Sequence, residues 1–173
     1  MSFNFFTKKT KNNPNPNIYV QNPNNPKPVV PIVQQVTEPQ TKRLLFDVAG
    51  IFYHEKELRK AGTISKMYYL SDEKLIASGK KKVHRYFFDG EMTFEEEPTN
   101  KYDKNAVKIL LNGHLIGYVP AEFAPKMRKV IANKSITKVE YKVKGGEYKV
   151  IEDNYVDEDE SELICDVIVS YLE

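Results

Sequence analysis

Alternating apolar and polar positions dominate the second half of the chain and predict a mainly β fold. In the C-terminal segment every second residue from Leu163 to Tyr171 is apolar or, at Cys165, sulfur-bearing. A period of two is typical of a strand that buries one face. Residues 139–143 alternate valine, tyrosine and valine with charged residues in the same way, so a second strand is predicted there.

Turn-forming residues mark the connections between strands. Asn112-Gly113 separates the apolar runs 106–111 and 114–119, and this dipeptide is the strongest short-range signal for a β-hairpin. Lys144-Gly145-Gly146-Glu147 predicts a second hairpin, and residues 152–162 are then expected to form an acidic loop before the last strand. The chain is therefore predicted to fold through antiparallel hairpins.

The remaining pattern predicts short helices and extended segments. Residues 44–50 are an apolar run ending in glycine, which is typical of a buried strand, and a loop follows from Phe52. The aromatic-rich stretch 83–97 also favours extended structure. Apolar spacing, N-cap and C-cap residues predict helices at 55–61, 71–78 and 121–132.

These elements together define the fold class and the domain plan. Strands without βαβ alternation, joined by a few short helices, favour a small β-barrel or a curved antiparallel sheet. Residues 1–41 hold most of the prolines, many asparagines and no periodic apolar pattern. Such a composition predicts a disordered tail, with the folded domain over residues 42–173.

The composition argues against a disulfide-bonded, zinc-binding or membrane-spanning protein. Cys165 is the single cysteine of the chain and there are three histidines, so neither an internal disulfide nor a zinc site is predicted, and no cofactor is expected. No stretch reaches the roughly 18 consecutive apolar residues of a membrane span. We expect a soluble, cytoplasmic protein with no membrane partner and no small-molecule substrate.

The net charge of +2 conceals two regions of opposite sign. Residues 42–149 carry 22 basic and 14 acidic side chains, whereas residues 150–173 carry none and nine. The resulting charges of +8 and −9 make the larger region suitable for a polyanion. The basic run 79–85 fits a phosphate-binding groove, although a solvated face explains it equally well.

The run from Glu97 to Val107 is not explained by packing. It brings an aromatic ring, two acids, two amides and two lysines together in one predicted loop. Loops of this composition usually bind a ligand. The alternatives are that Tyr102 packs on the hairpin and that Asp103 and Asn105 form a turn.

Three sequence blocks, in order, resemble the HIRAN domain. They are Phe46-Asp47-Val48-Ala49-Gly50, the run 97–107 and Ile116-Gly117-Tyr118-Val119-Pro120. The resemblance covers about residues 44–133, and it implies an OB-like β-barrel of the kind found alone in bacteria and phages and also in Swi/Snf-type helicases. In the helicases the domain captures the 3′ end of single-stranded DNA, so the resemblance implies a non-catalytic binder of single strands or DNA ends.

The resemblance also implies roles for individual residues. Tyr53 and Tyr102 match two tyrosines that hold the terminal base between their rings. Asp103 matches an acid that accepts a hydrogen bond from the 3′-hydroxyl, and Asn100 matches an amide that lines the same pocket. A carboxylate at this place would repel a terminal phosphate and select a free hydroxyl.

Two positions of the resemblance differ from the helicase-borne domains. Phe52 stands where those domains have an arginine, so one phosphate contact is missing. Tyr118 stands where they have a histidine, and its phenol can still donate to a phosphate.

Asn105 is expected to bond to the backbone of its own loop.

Two other function classes remain open. The acidic run 157–160 suits an adaptor that binds a protein of a DNA replication or repair complex. Glu95, Glu96 and Glu97, together with Asp103, could instead hold the metal ions of a nuclease. The nuclease interpretation is weakened because alternate residues on an extended segment face opposite sides, so the neighbouring glutamates would not converge on one metal ion.

Overall fold

The computed structural model describes residues 39–173. The predicted tail therefore lies almost entirely outside the described residues. The strands are β1 Thr41–Asp47, β2 Thr63–Ile64, β3 Lys82–His84, β4 Tyr86–Phe87, β5 Met92–Glu96, β6 Val107–Leu111, β7 His114–Tyr118, β8 Ile136–Ile151 and β9 Val156–Leu172. The α-helices are α1 Glu55–Ala61, α2 Asp72–Ala77 and α3 Ala124–Ala132, and a 3-10 helix, Ile51–His54, precedes α1.

Every described strand pair is antiparallel. The largest sheet has the order β1-β9-β8-β3, a second sheet has the order β5-β6-β7, and β2 pairs with β4. The long hairpin of β8 and β9 forms the centre of the first sheet, and β6 is the central strand of the second. The predicted class, mainly β with short helices and antiparallel sheets, is confirmed.

The core lies between the two larger sheets and the helices α1 and α3. On β9 the alternate residues from Leu163 to Tyr171 are all buried, as predicted. Ile109 and Ile116 face them from the second sheet, and Met127 of α3 belongs to the same cluster. Burial of these side chains is the main stabilising term, about 1.5–3 kcal/mol for each large aliphatic side chain.

Several local predictions are confirmed. Asn112 and Gly113 form the tight turn between β6 and β7, with φ of 50° and 80°, as a two-residue hairpin turn requires. All three helices form, and α3 begins three residues later than predicted. The segment 83–97 is extended but divides into three short strands, and the loop predicted to start at Phe52 contains the 3-10 helix.

The predicted hairpin turn at Lys144-Gly145-Gly146-Glu147 is wrong. β8 continues through these residues, and its register with β9 shifts between Lys144 and Gly146. Gly145 and Gly146 have φ of 84° and 74°, and a Cβ on Gly145 would lie 1.9 Å from the carbonyl oxygen of Glu162. The same positive φ that suits a turn here forms a bulge within a paired strand.

The predicted acidic loop over residues 152–162 is also wrong. The connection covers only residues 152–155, and the acids from Asp157 onward belong to β9. They remain in the strand because β8 supplies partners, as in the Lys149–Glu158 ion pair of 3.4 Å.

β1, predicted to be a buried strand, is an edge strand in which Phe46 is buried and Leu45 is 59% exposed.

Candidate nucleic-acid interface

The loop between β5 and β6 is held in shape by its own side chains. Asn100 Oδ1 accepts hydrogen bonds from the backbone N–H groups of Tyr102 (2.9 Å) and Asp103 (3.2 Å). Asp103 Oδ1 accepts a further bond from the N–H of Asn105 at 2.7 Å. These local bonds are typical of amide and carboxylate side chains in turns. Asn100 and Asp103 therefore fix the loop that presents Tyr102.

Glu97 connects this loop to β7. One of its carboxylate oxygens accepts bonds from Asn100 Nδ2 at 2.6 Å and from Tyr118 Oη at 3.1 Å. The bond from Asn100, followed by that from Tyr118, lowers the pKa of Glu97. Burial and the nearby Glu97 raise the pKa of Tyr118, so its phenol remains protonated at neutral pH. The Tyr118 hydroxyl donates its proton to Glu97, and its contact with a phosphate stays a prediction.

The 3-10 helix presents the other two predicted aromatic residues. Gly50, with φ of 73°, starts the turn, and its carbonyl accepts a bond from the Tyr53 N–H at 3.0 Å. Ile51 is buried beneath it, whereas Phe52 and Tyr53 are 68% and 85% exposed. Their ring centroids lie 5.6 Å apart in an edge-to-face arrangement. The helix thus anchors one apolar side chain and leaves two rings in solvent.

Tyr118 lies between the two elements. Its backbone exchanges hydrogen bonds of 2.8 and 2.9 Å with Ala49, directly before the 3-10 helix, and its ring lies 5.9 Å from that of His54. The close approach requires Gly117, because a Cβ there would lie 2.4 Å from the Val48 side chain. Tyr118 therefore joins both halves of the predicted site.

The structure thus connects all six predicted residues but does not place the two tyrosine rings in contact. Tyr102 is 98% exposed, and neither its ring nor that of Tyr53 is covered by the protein. Asp103 is half-buried, and its Oδ2 has no hydrogen-bond partner among residues 39–173. Two uncovered rings and one available carboxylate oxygen therefore border this end of the molecule.

Charged groups around the site are distributed unevenly. Lys101 and Lys104 are exposed and form no ion pair within the described part of the chain. Arg128 is engaged: its Nε lies 2.7 Å from Glu96, and its Nη1 donates to Asn105 Oδ1 at 2.8 Å. This contact corrects the prediction that Asn105 bonds to its own loop.

Acidic side chains surround Phe52. A shallow depression beside this ring is lined by Glu55, Glu160 and Glu162. Phosphate would be repelled there. The ring is therefore suited to contact a base rather than the sugar-phosphate backbone.

Glu97 holds the candidate site together, although the sequence suggested no role for it other than that of a metal ligand. Its neighbours on β5 have other partners, since Glu95 pairs with Lys108 and Glu96 with Arg128. Among residues 39–173 no group of three or more His, Cys, Asp or Glu side chains is arranged to hold a metal ion. Glu97-Pro98, at the start of the loop motif, is the sequence feature that could have indicated the positioning role of Glu97.

The basic run 79–85 is partly engaged in the hairpin. Arg85 pairs with Glu147 at 2.5 Å, and the Lys82 ammonium lies 3.1 Å from the centroid of the Tyr148 ring.

Within residues 39–173, none of the helices has the length and the apolar character needed to span a membrane.

In a comparison with protein families, the model of the HIRAN domain matches residues 61–158, more than half of the chain. The matched segment contains the loop with Asn100, Tyr102 and Asp103, and also Tyr118. Phe52 and Tyr53 precede it. No curated protein and no solved structure matches the chain significantly.

Proposed function

Because this chain belongs to the HIRAN family, a family of nucleic-acid-binding modules, we propose that it binds the 3′ end of single-stranded DNA without catalysing a reaction. The terminal base stacks on Tyr53 and Tyr102, and Asp103 accepts the hydrogen bond of the 3′-hydroxyl. The observation that carries this proposal is the exposure of both rings, 85% and 98%, on two elements that are both hydrogen-bonded to Tyr118 or to its partner Glu97.

Stacking suits a site that must accept any terminal base. Every base has a π face, and stacking on an aromatic side chain contributes roughly 1–3 kcal/mol per base. The loop and the 3-10 helix are held by backbone and side-chain hydrogen bonds before the ligand arrives. A preformed site of this kind loses little conformational entropy on binding.

The available oxygen of Asp103 explains how the end would be recognised. A carboxylate accepts a hydrogen bond from a hydroxyl and repels a phosphate. Lys101 and Lys104, on either side, attract the phosphates further along the strand. Recognition of the end and attraction of the backbone thus come from different side chains of one loop.

The acidic run proposed for an adaptor is engaged within the hairpin. Asp159 accepts a hydrogen bond from Tyr148 Oη at 2.7 Å, and Glu160 lies 2.6 Å from Arg59. These bonds support a structural use of the acids in β9. They favour the nucleic-acid function over a protein-binding acidic segment.

The experiment compares oligonucleotides that differ only at the 3′ end. Fluorescence anisotropy should show tighter binding to a strand with a free 3′-hydroxyl than to the same strand with a 3′-phosphate. Asp103→Asn keeps an acceptor for the Asn105 N–H but removes the charge, so the preference should diminish while the fold is retained. Equal affinity of the unmodified protein for both ends would refute recognition of the end.

A further inference from the structure

An aromatic cleft lies between the segment 84–88 and the middle of β8. Tyr86, Phe87 and Phe88 form one wall, and Tyr141, Lys142 and Lys144 form the other. Its volume is about 380 Å³, within the range of small-ligand sites, about 300–1,000 Å³. The cleft is separate from the site around Tyr118.

The cleft is a fixed gap in strand pairing. β3 pairs with β8, and the last bond on this side runs from the Arg85 N–H to the Glu147 carbonyl at 2.9 Å. Beyond it β4 turns away to pair with β2, and β8 bulges at Gly145 and Gly146. At the far end Tyr141 Oη donates to the Gly90 carbonyl at 3.1 Å. Hydrogen bonds therefore hold the two walls together at both ends.

The wall formed by β4 offers aromatic surface. The rings of Tyr86 and Phe88 stack on each other, with centroids 6.1 Å apart and planes 27° apart. Phe87, between them in sequence, is 58% exposed. Burial lowers the pKa of His84 at the end of the cleft, so this residue contributes a neutral ring at pH 7. Flat aromatic surface that stays uncovered is suited to stacking a base.

The wall formed by β8 offers positive charge and backbone polar groups. Lys142 is exposed and forms no ion pair within residues 39–173, whereas Lys144 pairs with Asp166. In the described chain no other strand pairs with β8 at residues 141–144 on the cleft side. An unpaired edge alone would suit an extended peptide. Aromatic rings opposite an exposed lysine, whose cross-strand neighbour Asp166 forms its ion pair with Lys144, favour an anionic ligand with a flat ring.

We infer that this cleft is a second nucleotide site, which binds an internal nucleotide of a single strand. A base stacks on Phe87, and Lys142 contacts the adjacent phosphate. Gly90, which accepts the Tyr141 bond beside the cleft, precedes β5, and Glu97 of the first site follows it, so the length of β5 separates the two sites. The second site requires no strand end, so it does not depend on the proposed recognition of the 3′-hydroxyl.

The test uses the full chain and a short circular single strand of DNA, which has no ends. Phe87→Ala should weaken binding of the circle about fivefold or more, as expected for the loss of one stacked base. Lys142→Ala should reduce the slope of log affinity against log salt concentration by about 0.7, the contribution of one phosphate contact on a single strand. A circle carrying 5-iodouracil should photo-crosslink within residues 84–88 or 141–145.

Matched controls separate the cleft from general surface effects. Tyr155→Ala removes an aromatic side chain with the same exposure, 58%, and Lys138→Ala removes a lysine four residues earlier on β8. Both should leave binding of the circle unchanged, and Phe87→Ala should retain the ratio of 3′-hydroxyl to 3′-phosphate affinity. The inference is overturned if the circle does not bind at low salt, or if both cleft variants bind it as the controls do.

Discussion

At the scale of single residues, the polar side chains of the loop between β5 and β6 hold the loop in shape, and one of them also keeps an acceptor oxygen available. Asn100 uses its oxygen for two backbone N–H groups and its nitrogen for Glu97, so it positions the loop. Asp103 uses one oxygen for the turn and leaves the other available. The turn interpretation and the binding interpretation of this aspartate are therefore compatible.

Tyr102 provides the most direct test at this scale. Its side chain is 98% exposed, so Tyr102→Ala should leave the thermal midpoint of unfolding nearly unchanged. Binding of a 3′-hydroxyl single strand should weaken by about 1–3 kcal/mol, because one stacking surface is lost. Anisotropy titration and thermal denaturation measure the two quantities, with Tyr155→Ala as the control. Normal affinity of Tyr102→Ala would remove this tyrosine from the site.

At the scale of elements, the hairpin of β8 and β9 decides most of the architecture. It pairs residues 136–151 with residues 156–171 and contributes one row of alternating side chains to the core. The acids of its outer half extend the same strand because β8 and α1 provide basic partners, including Lys149 and Arg59. In this half of the hairpin, the pairing of β9 with β8 brings the acids to their basic partners, and these ion pairs in turn stabilise the strand.

Neighbouring residues of β9 test whether the alternation extends past the acidic run. Leu163 is 3% exposed and Ile164 is 41% exposed. Leu163→Ala should therefore lower the free energy of unfolding by about 2–5 kcal/mol, as expected when a buried leucine is truncated. Ile164→Ala should cost less than about 1 kcal/mol, because the side chain is already largely in water. Urea denaturation measures both, and equal losses would contradict the strand assigned here.

At the scale of the whole molecule, Glu173 connects elements that are distant in sequence. Its carboxylate pairs with Lys42 at the start of β1 and with Lys126 on α3. The bond from Lys126, followed by that from Lys42, lowers the pKa of Glu173 to about 2, from its ordinary value of 4.5. The charged form is therefore preferred in the folded state, which links stability to pH.

The pH dependence follows from the direction of this shift. A depressed pKa contributes stability that is complete above pH 4.5 and is lost as the pH falls towards 2. Glu173→Gln should lower the thermal midpoint at neutral pH, and the difference from the unmodified protein should shrink between pH 4.5 and 2. High salt should also reduce it, because these side chains are solvent-accessible. A difference that does not vary with pH would show that the pairs contribute through packing alone.

The features that depend on local geometry could be predicted from the sequence alone. A period of two placed the buried face of β9, Asn112-Gly113 located a hairpin, and cap residues located the helices. The loop motif also identified the family and the residues that border the proposed site. Each of these signals is short-range, because side-chain direction and positive φ are properties of neighbouring residues.

The features that depend on distant partners became apparent only in the folded chain. Gly145 and Gly146 satisfy a turn and a bulge equally, and the choice came from the pairing of β8 with β9 on both sides of them. The contacts of Glu97 with Tyr118 and of Arg128 with Asn105 join residues 21 and 23 positions apart. The cleft beside Phe87 arises where two strands separate. A sequence pattern reports the conformations that a segment tolerates, whereas long-range pairing selects one of them.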